Sequence, residues 1–192
     1  MAEPQEPNPE PHERRTGSAH AHHSAPAGGP QLDIIDADRR LDPAAAAWLR
    51  AAAGEALRAA LNGSPGGAAA HVRLLIVGDE RMSDLHRRHM GVDGPTDVLT
   101  FDLRESAGEP LDTDIAVCFD EAARQSAPRS APPERELLLY FVHGVLHCLG
   151  HDDHDDADAA RMHRREDEIL SAIGVGPVFA APVAGGARER AR

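Results

Sequence analysis

The sequence contains no lysine, so all 20 of its basic residues are arginine, against 32 acidic residues. The formal charge of −12 argues against a protein that coats nucleic acid regardless of sequence, because such binding depends on neutralising phosphates. Aromatic residues make up only 3% of the chain, which leaves few platforms on which the bases of single-stranded RNA can stack. This composition still leaves room for a local basic patch.

Cysteine and long apolar runs are also scarce. Cys118 and Cys148 are too few for a disulfide scaffold, and we expect both to be small buried apolar residues. No apolar stretch approaches the roughly 18 residues that suggest a membrane span, and no charged segment followed by an apolar one opens the sequence. We therefore expect a soluble, cytoplasmic protein without a membrane partner.

The length of 192 residues fits one domain with two tails. Residues 1–31 are rich in Pro, Gly, Ala, Glu and His without apolar periodicity, which predicts a disordered N-terminal tail. Residues 176–192 lack any pattern typical of a core element, and we expect a flexible C-terminal tail. Residues 32–175 are long enough to form one hydrophobic core.

Apolar patterning in this central segment predicts an α+β (mixed α/β) fold, a single domain with a sheet of about four strands packed against helices. Asp42, Pro43 and Gly63 bound a first helix, and helical spacing predicts a second one over 79–90. No helix fits between the last two strands, which favours a hairpin or a short meander there. The expected strands lie in QLDIID, HVRLLIVG, DVLTFDL and IAVCF.

The densest functional signal is an apolar helix that runs into HGVLHCLGHDDH, residues 143–154. His143 and His147 are four residues apart, so their imidazoles share one helix face and can bind one metal ion. Gly150 ends the helix, and the chain that follows offers further His and Asp side chains. Three protein ligands plus water are typical of a catalytic zinc site.

A structural interpretation of the same residues is two core histidines followed by aspartates that cap the next helix, 156–170. Either histidine alone fits that interpretation better. The histidine pair, the glycine and the additional ligand types together favour a metal site. N-terminal capping still accounts for Asp155, Asp156 and Asp158.

The spacing is shared with the H-E-x-x-H-x-x-G-x-x-H signature of metzincin proteases, in which the Glu is the general base. Gly144 stands at that position, which argues against protease activity. Cys148 directly follows His147, and the helix turns it about 100° away from the histidine face. It is therefore not expected to be a ligand.

HGVLHCLGHDD closely resembles the H-G-x-L-H-L-x-G-Y-D-H motif of the YbeY family of bacterial endoribonucleases and rRNA maturation factors. The segment PTDVLTF, residues 95–101, resembles the family's Pro-Thr-Asn-Val-Leu-Ser-Phe, and EDEIL at 166–170 also fits. The resemblance covers about residues 32–175. It implies a zinc-dependent, single-domain α/β protein that acts in ribosome assembly, in 3′-end maturation of 16S rRNA and in ribosome quality control.

This chain departs from the family's pattern at the third ligand, a His six residues after the second one, where Asp153 stands here. Zinc also binds carboxylate oxygen, so Asp153 is the favoured ligand, with His154 as the alternative. Met90 replaces an Arg of the family's RNA cleft. Arg87 and Arg88, within one turn, are candidate substitutes for that phosphate contact, although surface arginines are more often only solvated.

A third departure is Thr113, where the family usually has Gly, and we expect it to alter only a turn. The resemblance implies one zinc ion per chain, which activates a water and polarises a phosphoryl oxygen to cleave single-stranded RNA. It identifies no general base. The acidic core segment favours recruitment to rRNA and the small ribosomal subunit by a ribosome-associated protein partner.

Two other functions fit the same residues. A zinc-containing ribosome-assembly module without catalysis would have a closed site, and His154 could supply its fourth ligand. A metal-dependent hydrolase that acts on a substrate other than RNA is the second alternative, because Met90 replaces the Arg of the family's RNA cleft. The sequence does not indicate an oligomeric state.

Overall fold

The structure is a computed structural model that describes residues 29–64, 67–106 and 108–179. Residues 1–28 of the N-terminal tail and 180–192 of the C-terminal tail lie outside the described residues. In chain order the elements are β1 (Gln31–Asp36), α1 (Pro43–Ala60), β2 (His71–Val77), α2 (Asp79–Met90), β3 (Val98–Asp102), β4 (Asp112–Cys118), α3 (Phe119–Ser126), α4 (Pro133–Cys148) and α5 (Asp156–Ala172), with short 3₁₀ turns at Gly67–Ala69 and Ala127–Arg129.

The four strands form one mixed sheet in the order β1-β2-β4-β3. β1, β2 and β4 run parallel, and β3 pairs with β4 in the antiparallel direction. The expected α+β fold with a four-stranded sheet is confirmed, including the hairpin without an intervening helix. Parallel neighbours require helical crossovers, and α1 and α2 follow β1 and β2 for this reason.

Side chains on the central strands alternate between two apolar layers because successive strand residues point to opposite faces. Val72, Leu74 and Ile76 face the larger layer, which contains α1, α4 and α5. Val77 belongs to a smaller layer on the other face, where Met82 of α2 is fully buried. Helix α4, which carries His143 and His147, therefore lies in the larger core.

Two helix starts agree with the capping residues seen in the sequence. The carboxylate of Asp42 accepts the first N–H groups of α1, and that of Asp155 does the same for α5. The eight-residue α3 is not predicted from the sequence, since only Ala122 and Ser126 of this helix are buried. Among the described residues, no helix is both long and apolar enough to cross a bilayer.

The chain remains attached to α5 beyond residue 175. The backbone N–H groups of Val178 and Phe179 donate to Asp167 Oδ1 at 2.7 and 3.1 Å. The Phe179 ring stacks on His163 with a centroid separation of 3.9 Å. Val178 and Phe179, which belong to the segment expected to be a flexible C-terminal tail, thus contact α5.

Thr113 lies inside β4 rather than in a turn, so the expectation about this residue is wrong. It is fully buried, and its hydroxyl donates to the Phe101 carbonyl of β3 at 2.9 Å and contacts Cys148 Sγ at 3.2 Å. The reason is that β4 begins at Asp112, earlier than the apolar run suggests. The Thr113 hydroxyl therefore connects the sheet to the end of α4.

Helix α4 crosses the sheet most closely at Gly144. A Cβ atom there would lie 2.9 Å from Thr100 Oγ1 and 3.1 Å from Ile115 Cγ2. Ile115 is fully buried, so it has little space into which to move. The glycine is therefore required by packing, and the glutamate of a metzincin protease would not fit at this position.

We expect Gly144→Ala to lower the free energy of unfolding by about 1–3 kcal/mol through overpacking, which outweighs the ~1 kcal/mol gain in helix propensity. Gly54→Ala is the matched control, because its Cβ would meet only Arg58 Nη1 at 3.8 Å within α1. That control should raise stability by about 0.5–1 kcal/mol. Urea unfolding of both variants measures this, and stabilisation by Gly144→Ala would contradict the close approach.

Candidate metal centre

The last two turns of α4 place both predicted histidines at the edge of the core. The Nε2 atoms of His143 and His147 are 3.0 Å apart, and the rings meet edge to face with centroids separated by 4.5 Å. Both side chains are partly exposed, at 23% and 31%. The neighbouring Val142 and Leu146 are buried, which fixes the helix face that carries the imidazoles.

A glycine turn brings the third candidate ligand back to this pair. Gly150 has a positive φ of 90°, a conformation that favours glycine, and it lets the His151 N–H donate to the Leu146 carbonyl at 3.0 Å. Asp153 then reaches Nε2 of His143 at 3.7 Å and Nε2 of His147 at 3.8 Å. The three candidate ligand atoms lie within 4.8 Å of one another.

His154, the alternative third ligand, is directed elsewhere. Its Nδ1 pairs with the carboxylate of Asp152, and its side chain is 86% exposed. Asp152, Asp153 and His154 form a second close group, but all three are exposed. The structure thus brings Asp153 and not His154 to the histidine pair, while metal ligation by Asp153 remains a prediction.

Each imidazole is held through its other nitrogen. His143 Nδ1 lies 2.7 Å from Glu166 Oε1, and His147 Nδ1 lies 3.1 Å from the His151 carbonyl oxygen. An ionised carboxylate and a carbonyl can only accept hydrogen bonds, so Nδ1 of each ring carries the proton. In the neutral rings both Nε2 atoms then present lone pairs, which is the state that binds metal.

Two Nε2 lone pairs at 3.0 Å cannot form a hydrogen bond with each other, and a cation between them removes their repulsion. Ligand atoms around a tetrahedral zinc ion with bonds of about 2.0–2.1 Å lie roughly 3.3 Å apart, close to the separation of the two Nε2 atoms. Two imidazole nitrogens and one carboxylate oxygen also suit zinc chemically. The residues present therefore fit a zinc ion.

Glu166 is the residue of the site whose role sequence reasoning missed. It is fully buried on α5, and within the described residues its Oε2 has no hydrogen-bond partner. Burial lowers the pKa of His143, but Glu166, together with Asp153 and Asp97, raises it, and the net direction is upward. A glutamate at apolar spacing between Met162 and Ile169 was the available signal, because such a residue faces the core.

An open cavity of about 440 Å³ adjoins the histidine pair, and its walls carry carboxylates of Asp97 and Asp102 beside apolar atoms. Met90, which is 55% exposed, is part of the wall. The full lining consists of Met90, Asp97, Val98, Leu99, Thr100, Asp102, His143, His147 and Cys148. A substrate can therefore approach the candidate metal position from this side.

The two candidate phosphate contacts lie outside that lining. Arg87 pairs with Asp84 on the exposed face of α2, and Arg88 lines a different cavity beside Gly78. A role of either arginine in binding RNA remains a prediction.

Cys148 also lines the cavity but is not directed at the histidine pair. It is buried, its Sγ contacts Thr113 as described above, and burial raises the pKa of its thiol. Burial likewise raises the pKa of Cys118 to about 11. Both cysteines are thus neutral thiols at physiological pH, in agreement with their interpretation as small buried residues.

Comparison with known proteins assigns the chain to a family, since the model described as endoribonuclease YbeY matches residues 36–174. The chain belongs to the YbeY family. A YbeY protein of Anaeromyxobacter sp. is 40% identical over 140 residues, which are 72% of this chain and 66% of that relative. One from Pelotomaculum thermopropionicum is 36% identical over 141 residues, or 69% of this chain and 89% of the relative.

A solved structure supports the same fold. The solution structure of a protein from Thermotoga maritima aligns with a TM-score of 0.52 and 25% identity, and it covers 74% of this chain and 89% of that chain. The YbeY match includes α4, the glycine turn and all of α5, so the candidate metal centre lies within the family's own region.

Substitution of the two neighbouring third-ligand candidates should separate them. We expect Asp153→Ala to weaken zinc binding by more than about 100-fold. This loss is larger than the loss of about 10–100-fold that follows when a residue that only supports a metal ligand is removed. His154→Ala should leave the affinity within about threefold, because its exposed ring contributes no ligand atom. Competition with a chromophoric chelator measures both, and the opposite pattern would assign the site to His154.

Removal of the charge on Glu166 should weaken the site without removing a ligand. We expect Glu166→Gln to lower zinc affinity by about 10–100-fold, because the Nδ1–H group of His143 then faces a neutral amide instead of a carboxylate, which makes the imidazole a weaker ligand. Glu168→Gln is the control on the same helix, where the side chain is 64% exposed and pairs with Arg165. Equal zinc affinity for wild type and Glu166→Gln would show that the buried carboxylate does not support the metal centre.

Proposed function

We propose that the chain is a zinc-dependent endoribonuclease that cleaves single-stranded RNA. The observation that carries this proposal is the convergence of two bare imidazole nitrogens and Asp153 beside an open cavity. Its YbeY relatives bear the name endoribonuclease. A bound zinc ion would supply an activated water and would polarise a phosphoryl oxygen.

The protein's own residues prepare the site before any substrate arrives. Glu166 holds His143 and the His151 carbonyl holds His147, so neither ring must rotate or change tautomer when RNA binds. Such fixed orientation is what makes electrostatic stabilisation effective, because no reorganisation is needed during the reaction. Asp153 comes from the turn after α4 and completes the arrangement from a separate segment.

The number of ligands favours catalysis over a structural metal. Structural zinc sites are closed by four protein ligands, whereas catalytic sites keep one position open. His154, the candidate for a fourth ligand, is exposed and paired with Asp152. Within the described residues the histidine pair therefore has one additional candidate ligand, Asp153, and the adjoining cavity leaves room for water and a phosphodiester.

The biological setting is the finer part of the proposal. We place the enzyme in the cytoplasm, in 3′-end maturation of 16S rRNA and in ribosome quality control. The net charge of −12 and the carboxylate of Asp97 in the cavity wall weaken unaided attraction to RNA, whereas Asp102 is neutralised by its pair with Arg104 at 2.6 Å. These charges support delivery to the small ribosomal subunit by a ribosome-associated protein partner.

The decisive measurement combines elemental analysis with cleavage of a single-stranded RNA that spans the 3′ end of 16S rRNA. Wild type should carry about one zinc ion per chain, and His147→Ala should lose the metal together with at least about 100-fold of the cleavage rate. His154→Ala is the matched control and should retain both.

Other results would favour other functions. Zinc without RNA cleavage, with or without small ribosomal subunits added, would support an assembly module. Turnover of peptide or ester substrates alone would support a hydrolase that acts on something other than RNA. A wild-type protein that does not bind zinc would overturn the proposal.

A further inference from the structure

A second cavity, of about 790 Å³, also reaches the candidate metal centre. It shares His143 and Asp97 with the cavity described above, so the two cavities meet at His143. Its volume falls within the roughly 300–1,000 Å³ typical of small-molecule sites. A ligand held at the metal centre can therefore extend into this second cavity.

One wall of the second cavity is an aromatic pair. His163 of α5 and Phe179 stack with their ring planes 9° apart, and Phe179 is 44% exposed. The backbone of Phe179 is held by Asp167, so the ring has a fixed support. Phe179 lies beyond residue 174, where the family match ends, and this wall is thus built partly by the chain's own C-terminal segment.

The remaining wall is rich in hydrogen-bond acceptors. Asp97, Glu136 and Glu166 contribute carboxylates, and Tyr140 contributes a phenol. Tyr140 is 6% exposed and Glu166 is fully buried, yet the Tyr140 hydroxyl and Glu166 Oε2 have no hydrogen-bond partner among the described residues. Since buried polar groups are normally paired, these two atoms indicate where a ligand group supplies the missing partner.

The charge of this wall limits what can bind. Arg129 is paired with Glu136 at 2.5 Å, so the carboxylates of Asp97 and Glu166 repel a phosphate or carboxylate ligand. A flat, uncharged ring with N–H donors fits better, because it can stack on Phe179 and donate to the acceptors. Adenine, cytosine and guanine carry exocyclic amino groups that suit carboxylate acceptors, whereas uracil carries none.

We propose that the second cavity binds an RNA base with an exocyclic amino group, next to the phosphodiester held at the metal centre. The base stacks on the Phe179 ring, and its amino group donates hydrogen bonds to the acceptors around Tyr140. This assignment of the second cavity rests on the proposed function, because the bound base would set the base preference of the proposed nuclease site. RNA is then cleaved preferentially where the nucleotide whose base occupies the second cavity is adenine, cytosine or guanine and not uracil.

Binding of single nucleotides tests the assignment without any cleavage. Titration calorimetry of the full-length, zinc-loaded protein compares CMP, AMP and UMP, which share ribose and phosphate, so that affinity differences report on the base. We expect CMP and AMP to bind about tenfold more tightly than UMP. Equal affinities for CMP and UMP would overturn the assignment.

Two substitutions locate the binding in the second cavity. Phe179→Ala should weaken CMP and AMP binding about tenfold through loss of stacking, and Tyr140→Phe should weaken it about fivefold through loss of one hydrogen bond. Leu103→Ala is the control, since Leu103 is 50% exposed and lies outside this cavity. Selective binding that survives both Phe179→Ala and Tyr140→Phe would place the base elsewhere and overturn the assignment.

The RNA cleavage assay separates this assignment from the proposed function. Base-selective nucleotide binding that depends on Phe179, in a protein that does not cleave RNA, would support the pocket and overturn the nuclease. Cleavage of RNA by a protein that binds CMP and UMP equally would support the nuclease and overturn the pocket.

Discussion

The contact of 2.7 Å between Glu166 and His143 is the constraint on which the rest of the site depends. Burial of a carboxylate is costly unless a positive or hydrogen-bonding partner offsets it, and here the partner is the imidazole that faces the candidate metal position. The same contact sets the tautomer of His143 and ties α5 to α4. The packing of α5 on α4 and the orientation of the candidate ligand His143 therefore depend on one buried interaction.

The ligand helix and much of the fold could be predicted from local patterns. The spacing of His143 and His147 is visible in the sequence, and alternating or continuous apolar residues located all four strands. The support from Glu166 could not be read in this way, because it depends on how α5 packs across α4. The burial of Thr113 depends on the exact start of β4, which the apolar run does not mark. Helix α3 is too short and too polar to show periodicity.

The two cavities that meet at His143 suggest how an acidic protein can act on a polyanion. The Asp97 carboxylate belongs to the lining of both cavities, so a phosphate would be favoured only where a bound metal ion offset this charge. In contrast to phosphate, the amino groups on base edges donate hydrogen bonds to carboxylates and are therefore attracted to these walls. Charge that weakens overall affinity for RNA can therefore improve the accuracy with which one nucleotide is positioned.

The close contact at Gly144 has a consequence for how this scaffold can evolve. A peptidase would need a glutamate at that position, and its Cβ atom alone would have to push aside the side chains of Thr100 and Ile115. A single substitution therefore costs stability before it can provide a general base. A general base at position 144 therefore requires the side chains beneath α4 to repack first, so the change involves several core residues rather than one.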